Sequence, residues 1–186
     1  MLVYPAEQLS LDASVVTIGA FDGVHLGHQA LIRQARTRAW SLGIPLVIYT
    51  FDPPPRVFFQ AVPLLTPAEE KIRRLSAFQP DYIIMAHFDA SYAQRRARDF
   101  IRELFKLGAY EIWTGNDFHF GYKREGDVEL LKQYFIVESL HTVCCPQAKR
   151  ISSSRIRELL TQQRWEEASR LMGWQAEVQP TMQANT

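Results

Sequence analysis

The stretch Ser14–His28, with the sequence SVVTIGAFDGVHLGH, decides the fold class of this chain. It begins with an apolar, β-branched run, Ser14–Ala20, which predicts a strand. The run lacks the polar alternation of a half-exposed strand, as is typical of a strand covered by helices on both faces of a parallel sheet. A glycine-rich turn follows, and Leu26–Leu42 has the length and pattern of a helix. The stretch therefore predicts an α/β fold.

The same order of strand and helix continues along the chain. Four further strands are predicted at Ile44–Phe51, Asp81–His87, Tyr110–Thr114 and Leu140–Cys145. The intervening helices are predicted at Pro67–Phe78, Arg96–Leu107 and Asp127–Tyr134. We interpret this pattern as a Rossmann-like, doubly wound parallel sheet, because strands that alternate with helices of this length form parallel crossover units.

The C-terminal part of the chain has a different pattern. Two short helical segments, Ser153–Gln162 and Trp165–Met172, predict a small C-terminal helical lid. Residues 175–186 have no periodic apolar face and are predicted to be a flexible tail. Since the chain has 186 residues and no second compositional unit, we predict one domain that spans residues 1–174.

Composition excludes several classes of protein. Hydrophobic residues make up 47% of the chain, which is enough for a substantial core and argues against disorder. The formal net charge of +1 argues against a nucleic-acid-binding surface, so any phosphate chemistry must be local. The two neighbouring cysteines do not suit a disulfide framework, and no apolar run is long enough to cross a membrane. These features predict a cytoplasmic protein without membrane partners.

Two long connections mark the expected active face. Asp52–Pro63 and Gly115–Gly126 both follow predicted strands and are too long for simple turns. In open α/β sheets, ligands bind at the carboxyl ends of the strands, where such loops lie. Between them, Thr66 is predicted to cap the next helix, with Pro67 in its first position and Glu69 completing a capping box.

The turn after the first strand is a candidate phosphate site. Gly19 and Gly23 permit a tight backbone path, and Gly27 lets a ligand approach the start of the helix, where unpaired N–H groups favour phosphate. His25 and His28, three residues apart, would lie on nearly the same face and could donate hydrogen bonds to phosphate oxygens. Either feature alone is common in structural loops, and two histidines without further ligands do not indicate structural zinc.

The segment Thr17–His28 resembles the HxGH signature of the nucleotidylyltransferase superfamily, and in particular the FMN adenylyltransferase (FAD synthetase) module of bacterial bifunctional riboflavin kinase/FAD synthetases. Three later segments resemble motifs of that family in the same order: Thr50–Arg56 (TFDPPPR), Gly115–Gly121 (GNDFHFG) and Ile151–Arg157 (ISSSRIR). The resemblance covers about residues 14–173 and implies a fold of the nucleotidylyltransferase type.

The resemblance also implies a reaction, in which AMP is transferred from ATP to FMN to give FAD and pyrophosphate. Mg²⁺ would accompany ATP, held by the nucleotide and water, and no side chain is assigned as a metal ligand. The implied catalytic residues are His25, His28, Ser153 and Arg157. The implied ATP-binding residues are Gly19, Ala20, Phe21, Asp22, Gly23, Gly27, Asp117, Ser152, Ser154 and Arg155. The implied flavin-binding residues are Phe51, Pro53 and Phe118.

Several alternatives stay open from the sequence. The serines before Arg155 could be an ordinary helix cap, and Phe118 could be a core anchor. Pro54 stands where the family loop carries histidine, so a different small phosphate or phosphonate acceptor, with ATP or CTP as donor, is a second hypothesis. A non-catalytic nucleotide- or flavin-binding protein is a third. Under the first hypothesis a separate riboflavin kinase would supply FMN, and the oligomeric state is not predicted.

Overall fold

The structure, a computed structural model, describes residues 1–140, 144 and 149–174. The predicted tail, residues 175–186, lies outside the described residues, and so does most of the predicted strand Leu140–Cys145. Within the described ranges, no helix has both the length and the apolar character needed to span a membrane.

Parallel strands form the centre of the molecule. The strands are β1 (Leu2–Tyr4), β2 (Ser14–Ile18), β3 (Leu46–Asp52), β4 (Tyr82–His87), β5 (Ala109–Gly115), β6 (His119–Phe120), β7 (Gly126–Asp127) and β8 (Ile136–Leu140). The helices are α1 (Leu26–Leu42), α2 (Pro55–Gln60), α3 (Ala68–Ser76), α4 (Ala97–Lys106), α5 (Val128–Lys132), α6 (Ser153–Thr161) and α7 (Trp165–Met172). Six strands pair in the order β1-β4-β3-β2-β5-β8, all parallel, and β6 and β7 form a small antiparallel hairpin. The predicted Rossmann-like α/β class is confirmed.

The strand order places a crevice at one edge of the sheet. From β2 the chain moves outward to β3 and β4, and it then returns to the other side of β2 to form β5. Because all six strands are parallel, their carboxyl ends share one edge, and the reversal next to β2 opens a crevice there. The loops after β2, β3 and β5 therefore meet at the same place.

Apolar side chains cover both faces of the sheet, as the lack of alternation in β2 and β3 predicts. On one face, buried residues such as Val16, Tyr49 and Leu104 pack together with α4. On the other face, Val15, Ile48 and the apolar side of α1 form a second cluster. A strand buried on both faces has no solvent-facing position, so its sequence is mostly apolar and lacks polar alternation.

The predicted C-terminal lid is present as α6 and α7. Its own apolar cluster includes Ile156 and Leu171, and Leu26 at the start of α1 packs against that cluster. Two hydrogen bonds fasten its far end: Gln29 Nε2 donates to the carbonyl oxygen of Met172 at 2.9 Å, and Trp174 Nε1 donates to that of Val24 at 2.9 Å. The lid is therefore attached to the loop that carries the two histidines.

Some predicted elements differ from the observed ones. Strand β1 was not predicted, because three exposed or half-exposed residues give too short a pattern. The loop after β3 contains α2, since Pro54 and Pro55 occupy the N-cap and first helical positions, where proline is well tolerated. Strand β8, Ile136–Leu140, was not predicted; it ends at the first residue of the predicted strand Leu140–Cys145, and Cys144 forms an isolated bridge with Arg150.

The predicted capping box before α3 is wrong. Pro67 is the N-cap residue and the helix has no side-chain cap there. The Thr66 hydroxyl instead accepts a hydrogen bond from the Gly23 N–H group at 2.5 Å. A long-range partner has replaced the local one, and the segment before α3 is joined to the glycine-rich turn.

Candidate active site

A cavity of about 730 Å³ lies at the carboxyl edge of the sheet, a size in the range of small-molecule sites. Five segments form most of its wall: the turn after β2, the end of β3 with α2, residues 88–100 after β4, the segment from the end of β5 to Arg124, and the start of α6. All of them except residues 88–100 carry one of the four motifs quoted from the sequence. The fold brings them together from positions that are far apart in the chain.

Most of the predicted site residues line this cavity. They are His25, His28, Ser153, Arg157, Gly19, Ala20, Phe21, Asp22, Gly27, Asp117, Ser152, Ser154, Phe51 and Phe118. Gly23, Pro53 and Arg155 do not line it. The individual roles of all these residues stay predictions, and the geometry described below bears on each of them.

The three residues outside the wall are described by their backbone geometry and their contacts with other protein groups. Gly23 has a φ of +83°, a conformation that favours glycine, and its N–H group is bonded to Thr66. Pro53 follows a cis peptide bond, and the cavity wall is formed by the next two prolines. The Arg155 side chain donates to the carbonyl oxygens of Lys149 and Arg150 at 3.2 and 3.4 Å, so it braces its own loop.

The two histidines form a tightly packed pair at the start of α1. Their rings stack with centroids 3.6 Å apart and planes inclined by 16°, and the Phe21 ring meets His28 edge-on at 5.2 Å. His25 is the N-cap residue, and its Nδ1 accepts a hydrogen bond from the His28 N–H group at 3.3 Å. That bond requires an unprotonated Nδ1, so in a neutral His25 ring the proton is assigned to Nε2, which can donate to a ligand oxygen.

Both imidazoles are held neutral in the free protein. Burial lowers the pKa of His25 to about 4, with a smaller contribution from the positive charge of Arg150. Burial also lowers the pKa of His28 well below its ordinary value, with further contributions from His25 and Lys71. His28 Nδ1 is buried and has no hydrogen-bond partner among the described residues. The pair can therefore supply neutral N–H donors. The buried Nδ1 of His28 remains without a hydrogen bond to the described residues.

The lowered pKa of His25 predicts a pH dependence of stability. The unfolded chain binds a proton near pH 6.5 and the folded one only near pH 4, so stability falls as the pH is lowered between these values. We expect wild type to lose about 2 kcal/mol more than His25→Asn between pH 7 and pH 5, because asparagine keeps a capping oxygen but does not titrate. Urea unfolding at both pH values measures this difference. Equal losses in the two proteins would contradict it.

Asp22 joins the turn after β2 to two other segments, the residues before α3 and helix α6. Its Oδ1 accepts hydrogen bonds from the N–H groups of Leu65 and Thr66 at 3.0 and 3.2 Å, and its Oδ2 pairs with Arg157. Its backbone carbonyl accepts a bond from the Ser153 hydroxyl at 3.0 Å. Burial raises the pKa of Asp22, and the Arg157 charge and the backbone donors partly offset this. The carboxylate therefore holds the turn after β2 against the residues before α3 and against α6, and the ATP contact predicted for Asp22 stays a prediction.

The start of α6 lines the cavity together with His25 and His28, and we call this part of the wall, where phosphate is predicted to bind, the phosphate end. Ser152 caps the helix through its Oγ, which accepts from the Arg155 N–H group at 3.3 Å, so the capping alternative is confirmed for this serine. Arg157 donates to the carbonyl oxygen of Pro63 at 2.7 Å as well as pairing with Asp22. In the free protein its guanidinium is thus occupied by protein groups, and it faces the cavity with part of its surface.

Aromatic rings form the other end of the cavity. Phe51 contacts Phe88 and Tyr92 edge-on, each at 5.9 Å between ring centroids. Phe58 and Phe59 of α2, which the sequence analysis did not single out, pack on Phe88 at 5.5 and 5.7 Å and stay exposed. Their signal in the sequence is a pair of neighbouring phenylalanines inside the long connection Asp52–Pro63, where apolar rings are unusual for an exposed loop. A flat ring system suits such an end.

Phe118 is a core anchor, as one alternative predicted, and its flavin contact stays a prediction. Its ring stacks on Phe120 at 5.7 Å with an inclination of 18°, and it packs against the core cluster that includes Phe100. It also lines the cavity. Nearby, the exposed Asp117 carboxylate pairs with Arg150 at 2.8 Å. A ligand that bonds to Asp117 would have to share this carboxylate with Arg150 or displace the arginine.

Lys71 is a buried cation behind the cavity wall and was not among the predicted site residues. The residue is fully buried, and its Nζ donates to the carbonyl oxygen of Phe51 at 2.7 Å. Burial lowers the pKa of Lys71, while the charges of Asp22 and Asp52 act in the opposite direction. The burial of Lys71 depends on this contact with β3, which is distant in sequence, so the local pattern of α3 does not indicate it.

A parallel sheet with a histidine-capped glycine-rich turn and a serine-capped helix at the same cavity is typical of Rossmann-type nucleotidyltransferases. The sequence model of the FAD synthetase family matches residues 7–155. The chain therefore belongs to the FAD synthetase family.

Two relatives agree with this assignment, and a solved structure shares the fold. The chain is 51% identical over 175 residues to a Geobacillus thermodenitrificans protein named as a riboflavin kinase/FMN adenylyltransferase, and the match covers 94% of this chain and 98% of that protein. A Haemophilus influenzae bifunctional riboflavin kinase/FMN adenylyltransferase is 37% identical, and the match covers 88% of this chain and 56% of that protein. The chain thus spans about half the length of the latter. A Streptococcus pneumoniae crystal structure titled as a macrolide-efflux protein is 28% identical with a TM-score of 0.80, covering 93% of this chain and 60% of that one.

Proposed function

We propose that this protein is an FMN adenylyltransferase, which transfers AMP from ATP to FMN and releases pyrophosphate. The observation that carries the proposal is that one cavity contains both a phosphate end, with His25 and His28, and an aromatic end, with Phe51 and Phe88. A substrate that is a phosphate ester of a flat ring system matches such a cavity. Membership of the FAD synthetase family supports the same reaction.

The reaction needs positioning and charge stabilisation, and no covalent intermediate. An oxygen of the FMN phosphate attacks the α-phosphorus of ATP, and the bond from that phosphorus to the bridging oxygen breaks. The electron pair leaves with pyrophosphate. His25 and His28 would donate N–H bonds to the reacting phosphate oxygens, where negative charge grows, and the N-terminus of α6 would face the leaving group.

Mg²⁺ is proposed to enter as part of the ATP substrate. The carboxylates in the cavity wall are Asp22 and Asp117, and both are paired with arginines. Across the described residues, no group of three or more histidine, cysteine or acidic side chains is arranged to hold a metal. This donor set suits an ion that keeps its water and phosphate ligands, and the ion would neutralise the β- and γ-phosphate oxygens.

FMN is proposed to come from a riboflavin kinase reaction. The names of the relatives pair the two activities. FMN is the product of phosphorylating riboflavin, so the kinase step must precede the transfer proposed here.

The decisive test is FAD formation by the purified protein. With ATP, Mg²⁺ and FMN, we expect chromatography to show FAD and pyrophosphate in equal amounts. No FAD under conditions in which a known FAD synthetase works would overturn the proposal. Product formed only from CTP, or only with another phosphate or phosphonate acceptor, would favour the second hypothesis. Binding of FMN and ATP without any product would favour a non-catalytic protein.

A further inference from the structure

The positive charges of the cavity wall are unequally neutralised. Seven cationic side chains line the cavity, and four of them pair with carboxylates: Arg95, Arg96, Arg150 and Arg157. In the part of the chain that the structure describes, Arg56, Lys123 and Arg124 have no carboxylate at ion-pair distance. Lys123 lies near the Tyr122 ring and Arg124 near His119, whereas Arg56 lies beside the phosphate end.

Arg56 lies between two helices that face each other across the cavity. Its Nε donates to Gln60 Oε1 on its own helix, α2, at 2.7 Å. Its Nη1 donates to the Ser154 hydroxyl in the first turn of α6. Both acceptors are neutral, so these bonds orient the guanidinium but leave its charge uncompensated. A planar guanidinium has five N–H donors, and two of them are used here.

The surroundings of Arg56 favour an anion. Burial lowers the pKa of Arg157, and the positive charge of Arg56 lowers it further, so the two guanidinium groups repel each other in the free protein. The N-terminus of α6 adds partial positive charge at the same place. His28, whose buried Nδ1 has no partner among the described residues, lines the same cavity. A bound phosphate would relieve the repulsion between the two guanidinium groups.

The helix that carries Arg56 also reaches the aromatic end. Phe58 and Phe59 of α2 pack on Phe88, so this single helix of six residues contacts both ends of the cavity. A ligand whose rings lie at the aromatic end can therefore place its phosphate group next to Arg56. Pro54, at the start of the same helix, has no side-chain donor.

We propose that Arg56 binds the phosphate group of the flavin acceptor, and that it supplies the hydrogen bonds which Pro54 cannot provide. This inference rests on the proposed function and names a binding residue for its acceptor. Arg56 thus distinguishes phosphorylated from unphosphorylated flavin. Its guanidinium would exchange the bond to Ser154 for a bidentate contact with two phosphate oxygens.

The test compares FMN with riboflavin, which differ only in the phosphate. Dissociation constants are measured by flavin fluorescence quenching with Mg²⁺ and an ATP analogue that has a methylene bridge between the α- and β-phosphorus. We expect Arg56→Ala to weaken FMN binding roughly 10- to 100-fold, with little change for riboflavin. Arg56→Lys keeps the charge but not the planar fork and should be intermediate. The matched control is Arg170→Ala, an exposed arginine on α7 that pairs with Glu166.

Two results would overturn the proposal. One is an unchanged ratio of FMN to riboflavin affinity in Arg56→Ala, with circular dichroism showing an intact fold. The other is an increase in KM for ATP at an unchanged ratio, because Arg56 would then bind nucleotide phosphates. The proposed function would fail separately, through the absence of FAD formation by the wild-type protein.

Discussion

Replacing His28 by alanine is expected to lower the kcat of FAD formation by about 10²-fold or more, with a smaller change in the affinity for ATP. This is the scale of losing one preorganised donor to a transition state. The stacking on His25 and the edge contact with Phe21 hold the ring in one orientation before substrate binds. Because burial keeps His28 neutral, its donor is available at pH 7 without a prior proton transfer.

The measurement is steady-state FAD formation with ATP and FMN each varied in turn. Gln34→Ala is the matched control, because Gln34 is exposed on the same helix and lies outside the cavity wall. Thermal unfolding of the variant shows whether losing the ring has also weakened the packing. A folded His28→Ala protein with wild-type kcat would remove His28 from the chemistry.

Replacing Asp22 by alanine is expected to lower the free energy of unfolding by about 3 kcal/mol, the scale of removing one partner of a buried ion pair. The substitution leaves the largely buried Arg157 guanidinium without its carboxylate, and two backbone N–H groups lose their acceptor. Activity should fall as well, since the same contacts hold the turn after β2 against α6.

Urea unfolding of wild type, Asp22→Ala and the double variant Asp22→Ala/Arg157→Met measures the interaction. We expect the double variant to be more stable than the single one, because the unpaired charge has been removed. Glu167→Ala is the control, since it breaks an exposed pair with Arg164 and should cost about 0–1 kcal/mol. A loss from Asp22→Ala no larger than that of the control would contradict the prediction.

The main sheet was predictable because its signals are local. The central strands β2 and β3 are mostly apolar, and the glycine-rich turn and α1 follow β2 directly in the sequence. Placing the four motifs at one edge needed only the rule that parallel strands end together. Helix α2 was missed because three successive prolines resemble an extended turn, although Pro55 in the first helical position starts the helix well.

Roles that depend on distant partners were not predictable. Asp22 lies in the glycine-rich turn, and no local pattern there indicates its hydrogen bonds with Leu65 and Thr66 or its ion pair with Arg157. Thr66 has the local pattern of a helix cap but binds Gly23 instead. In both cases the competing partner is more than 40 residues away in sequence, where no local pattern can indicate it.

The bond from Trp174 to the carbonyl oxygen of Val24 sets a practical limit on how far the chain can be shortened. Val24 directly precedes His25, so the indole supports the backbone from which the stacked histidines begin. A fragment that ends with α7 at Met172 would contain every motif and yet lack this support. The smallest self-contained unit for expression or for fusion to another domain should therefore extend at least through Trp174.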